Sequence, residues 1–161
     1  MAAIPRWYLS GGASNTNPNV SLGGIISTTQ VPGNLFDDVL GSESSVGDIE
    51  YRGVYVKNDG DVDLQATVVW IQVNTPDVDT SVSIGLTAMG SNQTMEVVAD
   101  ENTAPVGVVF SAPATKPVGL SVGTLPAGSR YGVWIRRTVN AGAAAYNNDT
   151  FTIRVEGDTG A

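Results

Sequence analysis

Glu50-Tyr51-Arg52-Gly53-Val54-Tyr55-Val56-Lys57-Asn58-Asp59-Gly60-Asp61-Val62-Asp63-Leu64, running on into Val68-Val69-Trp70-Ile71, spells a strand, a turn and a second strand. Aromatic and β-branched residues fill the two flanks, and Asn, Asp and Gly fill the joint. A second stretch repeats the grammar: Leu125-Pro126-Ala127-Gly128-Ser129 is a turn that feeds Tyr131-Gly132-Val133-Trp134-Ile135-Arg136-Arg137. Working outward from these two, the chain from Ile49 onward reads as successive strands over 49–58, 64–73, 82–86, 93–99, 106–111, 129–139 and 151–155. Val68, Val69, Trp70 and Ile71 predict a strand covered on both faces. Val82, Ile84 and Leu86 alternate with Ser83, Gly85 and Thr87, which predicts a half-buried one. Seven strands delimited by turns predict an all-β, antiparallel β-sandwich, immunoglobulin-like or, as the alternative, a jelly roll. The run from Ala141 to Ala145 reads as a loop.

Residues 1–48 are written differently. After the short strand-like patch Arg6-Trp7-Tyr8-Leu9 comes a Gly-, Ser-, Asn- and Thr-rich stretch with no period. Little of it could offset the entropy of ordering by itself. One reading is a solvated tail. The other is an extended arm ordered against neighbouring subunits, with Trp7, Tyr8, Leu9, Leu35 and Phe36 as anchors. The expected organisation is therefore an N-terminal arm over 1–48 and a sandwich domain over 49–161.

Composition excludes several chemistries. The 161 residues include no His and no Cys, so His-based triads, thiol nucleophiles, disulfides and His- or Cys-bound zinc are impossible. The phosphate-binding glycine motifs are missing as well. We expect no enzyme and no cofactor. A net charge of −8 repels nucleic acid and favours solubility at high copy number. No apolar run approaches the ~20 residues of a membrane span, and the first residues do not read as a signal peptide.

Two constellations remain. Asp59, Asp61 and Asp63 alternate as at the start of a calcium loop, but Leu64 and Trp70 stand where that loop needs Gly and Glu. The plainer reading is a turn whose carboxylates cap backbone amides. Arg130, Trp134 and Arg136 share one face of a strand, and Tyr131, Val133 and Ile135 share the other, assigned to the core. Trp and Arg are enriched at interface hot spots, so the first face is a candidate partner surface.

Several stretches together resemble small structural proteins of tailed bacteriophages. They are Glu50 to Asn58, the run from Arg136 through Asn140 to Tyr146, Phe151-Thr152-Ile153-Arg154-Val155, and the leader Trp7-Tyr8-Leu9-Ser10-Gly11-Gly12. The resemblance implies a virion component located on the capsid surface and made in the host cytoplasm. Its implied role is head decoration or cement, as a homo-oligomer bound to the major capsid protein or other virion proteins. A tail or baseplate component, and a glycan-binding adhesion module using the Arg130–Trp134–Arg136 face, are the alternatives.

Overall fold

The computed structural model describes residues 1–146 and 149–160. Among the described residues nine strands form: β1 (Pro5–Leu9), β2 (Gly23–Gly24), β3 (Asp48–Asn58), β4 (Leu64–Val73), β5 (Thr80–Leu86), β6 (Met95–Val97), β7 (Leu120–Leu125), β8 (Arg130–Val139) and β9 (Thr152–Thr159). One short helix, α1 (Gly41–Val46), precedes β3. All pairings are antiparallel: β1-β3-β8-β5 make one sheet, β7-β4-β9 a second, and β2-β6 a small ribbon.

The two larger sheets form an antiparallel β-sandwich, as expected. Period-two alternation sorts the side chains. In β3, Val54 and Val56 point inward with Val133 and Ile135 of β8 and Val82 and Ile84 of β5, meeting Leu64, Val69 and Ile71 of β4 and Leu125 of β7. Among the seven strands of the two main sheets, the fifth in chain order (β7) pairs with β4, while the sixth (β8) lies between β3 and β5. An immunoglobulin constant domain places its fifth and sixth strands on the opposite sheets.

The outer face of the first sheet is also covered, so the molecule has three layers. Tyr51, Tyr55 and Trp134 lie there under Met95 and Val98, with Leu22, Ile26, Val108 and Phe110 packed against them. Glycines in the strands let this cover approach. A Cβ on Gly53 would stand 2.9 Å from Met95 Cε and 3.0 Å from the Gly23 amide nitrogen; one on Gly85 would stand 2.7 Å from the Val109 carbonyl oxygen. Such close approach of backbone to strand is a recurrent reason for glycine within a sheet.

The N-terminal segment corrects the expectation of an arm. β1 is an integral strand, pairing Pro5 through Leu9 with Asn58 through Val54. Leu9, Leu35 and Phe36 belong to the core between the sheets. The β1 edge is itself covered, because Leu9 donates to the Thr29 carbonyl and Val31 to that of Trp7. Two buried serines fasten the glycine-rich stretch. The Ser10 amide donates to Ser21 Oγ, Ser21 Oγ donates to the Gly53 carbonyl, and the Gly53 amide returns a bond to the Ser21 carbonyl. Polar composition did not leave this segment solvated, because strand β3 offers it backbone partners.

Two further expectations change. Residues 106–111 do not form a strand; they belong to the cover and touch the sheet through one reciprocal backbone pair, Ile84 with Ser111. β7 was not anticipated. Its sequence, Leu-Ser-Val-Gly-Thr-Leu, is short, and Gly123 within it adopts a positive φ of 83° where the register with β4 shifts.

Candidate functional site

The core face of β3 does not begin with apolar residues. The alternation that turns Val54 and Val56 inward also turns Glu50 and Arg52 inward, and Arg137 lies directly opposite Glu50 on β8. Glu50 is 1% exposed and Arg52 0%. Burying charge is expensive unless it is paired, and these groups are paired. Arg137 donates Nε to Glu50 Oε2 at 2.6 Å, and its Nη2 reaches the same oxygen. Arg52 Nη2 lies 2.7 Å from Glu101 Oε2, while its Nη1 donates to the Tyr51 carbonyl at 3.1 Å.

Phe36 and Asp37 close the cluster from the N-terminal side. The guanidinium carbons of Arg52 and Arg137 lie 5.1 and 4.9 Å from the centre of the Phe36 ring, close enough for cation–π attraction. Asp37 Oδ1 is 3.7 Å from Arg52 and 3.6 Å from Arg137. Burial pushes the Glu50 carboxyl up to about 7, against the opposing pull of the Arg137 charge and hydrogen bond. Glu50 Oε1 and Arg52 Nε make no hydrogen bond to any described residue.

Beside the cluster, an open cleft of about 1010 Å3 runs between the N-terminal segment and β9, with Trp7, Leu35, Phe36, Arg137, Phe151 and Ile153 among its walls. At its far rim the Asp149 carboxylate accepts from the Thr80 hydroxyl and, at 3.3 Å, from the Asp77 amide.

Of the residues singled out in the sequence, Phe36 touches this cluster and Trp7 and Leu35 line the cleft beside it, while the others fall elsewhere. Asp59, Asp61 and Asp63 do not converge. Asp59 accepts from the Tyr8 hydroxyl and pairs with Lys57 at 2.8 Å. Asp61 accepts from the Ala2 amide at 2.8 Å, and Asp63 from that of Ala127 at 3.1 Å. The capping reading describes Asp61 and Asp63, whereas Asp59 is held by side chains, and the three do not form a calcium loop. Trp7, Leu9, Leu35 and Phe36 contribute to the chain's own interior, and Tyr8 lies on the opposite face of β1, with Lys57 5.7 Å from its ring centre.

Arg130, Trp134 and Arg136 do share a face, but Trp134 is 0% exposed under the cover layer, with its indole N–H on Glu96. This corrects the open aromatic contact surface expected there. Arg136 stacks 5.0 Å from the Phe110 ring centre and bonds Ser83 Oγ at 2.9 Å; Arg130 lies 5.9 Å from that of Tyr55. Sequence reasoning missed the Glu50–Arg52–Arg137 cluster. Its signal was present in the same alternation that located the core, since Glu50 and Arg52 keep step with Val54 and Val56, and Arg137 keeps step with Val133 and Ile135. No protein-family model, curated protein or solved structure matches the chain.

Chemically, the cluster supplies carboxylates and guanidiniums that pair with one another and leave Glu50 Oε1 and Arg52 Nε without a partner among the described residues.

Proposed function

We propose that this protein is a non-enzymatic structural component of a tailed-phage virion, a head-decoration or cement protein that bridges capsid subunits. The observation that carries the reading is the outward side of the cover layer. Ile25, Val97, Val106 and Val109 are each at least 60% exposed, while Val108 and Phe110 of the same segment point into the second core. Ile25 directly follows β2, and Val97 lies on its partner β6. Exposed apolar side chains that share one outward layer suit a protein contact there.

The net charge of −8 keeps such a chain soluble before assembly. On a lattice, a modest contact is repeated by symmetry, and the repeats together hold strongly. The resemblance to phage structural proteins supports the same reading. A buried Trp134 leaves the glycan-binding alternative without its platform.

The test is a copy count in purified particles, by quantitative mass spectrometry against the major capsid protein. A simple lattice fraction is expected. A few per cent would move the protein to the tail or baseplate, and absence would overturn the virion reading. Val109→Asp should abolish binding to capsids lacking the protein while leaving its own Tm unchanged.

A further inference from the structure

We propose a divalent-cation site, of calcium type, at the junction of α1 and β3, built from the carboxylates of Glu43, Asp48 and Glu50. One oxygen from each lies within 4.8 Å of one from each of the others. That spread fits a single cation bound to oxygen at about 2.3–2.6 Å.

Each carboxylate is held by one oxygen and leaves the other without a hydrogen bond to any described residue. Glu43 Oε2 accepts from the Leu40 amide at 2.6 Å. Asp48 Oδ1 accepts from Asn102 Nδ2 at 2.8 Å. Glu50 Oε2 accepts from Arg137, and Glu50 Oε1, fully buried, has no partner. A buried oxygen without a donor is costly, and a cation would satisfy it. The donors on the other oxygens fix each carboxylate's orientation, as outer partners do for metal ligands.

A neighbouring trio of acids, Asp37, Glu50 and Glu101, makes the contrast. There, Arg52 and Arg137 already supply the positive charge. Among the described residues no cationic side chain pairs with Glu43 or Asp48. With all ionised, Glu50 and the four carboxylates around it face two guanidiniums, an excess of three negative charges. One divalent ion reduces that excess to one.

All-oxygen ligands exclude soft metals. Calcium is favoured over magnesium because Glu43, on α1, and Asp48, at the start of β3, are half-exposed, so waters can complete an irregular shell. The site does not depend on the virion reading.

The experiment uses the full chain, stripped with EDTA and titrated with CaCl2 or MgCl2, read by calorimetry and thermal unfolding. Calcium should bind with a one-to-one stoichiometry and raise Tm by about 5 °C at about 10 mM. The paired change Glu43→Gln with Asp48→Asn touches half-exposed groups and should keep the stripped protein's Tm while weakening calcium binding at least about tenfold. Glu50→Gln should abolish the response. Absence of a calcium effect at that concentration, an undiminished effect in the Glu43→Gln/Asp48→Asn variant, or a stronger response to magnesium would each overturn the assignment.

Discussion

Burial pushes the Asp59 carboxyl up, but hydrogen bonds from Lys57 and Tyr8, with the charges of Lys57 and Arg6, outweigh it and hold the group below its ordinary 3.8. Because its folded value is depressed, the stability it contributes is fully present above 3.8 and is lost as pH falls through the folded value. The wild-type chain should therefore lose Tm more steeply below about pH 4 than Asp59→Asn does; parallel pH profiles would remove this role. Trp134 belongs to the same scale. On an open face its removal would change stability by less than about 0.5 kcal/mol. Enclosed as it is, Trp134→Ala should cost about 3–5 kcal/mol in chemical denaturation. Which strand face carried Trp134 was legible from alternation alone. Its burial was not, because the residues that cover it lie in the 20–26 and 95–110 stretches, far away in the chain.

Among the elements, β3 organises the rest. Its interior is buried almost without a break because it has sheet on two edges and packed layers on both faces. The close approach at Gly53 leaves no room for a methyl group beside Met95 and Gly23. Gly53→Ala should destabilise by about 1–3 kcal/mol, typical of overpacking. Hydrogen exchange should rise in 21–26 and 95–98, while the β3–β8 ladder stays protected. An equal rise in β8 would mean that the cover is not a separate layer. β3, β4, β5, β8 and β9 were recognisable because hydrophobic period and turn residues agree in each. β7 and the path of 106–111 were not, since a short Gly-interrupted strand has no period to read and 106–111 meets the sheet only at Ile84 and Ser111.

For the whole molecule, the decisive point is that the chain's beginning belongs to its middle. Removing residues 1–10 would take β1 from the sheet and Leu9 from the core. The shortened protein should lose its cooperative transition or a large part of its Tm, and the intact chain should resist proteolysis within 1–48. An unchanged Tm after truncation would restore the removable arm. The all-β class, most strand positions and the absence of thiol and imidazole chemistry follow from the order and kinds of residues alone, because they depend on local period and on residue inventory. Tertiary structure decided the rest. It turned a Ser- and Gly-rich stretch into a built-in layer through backbone partners offered by β3, roofed Trp134, and set Glu43, Asp48 and Glu50 around one point. Local pattern records which way a side chain faces. What it meets there depends on segments that only folding brings alongside.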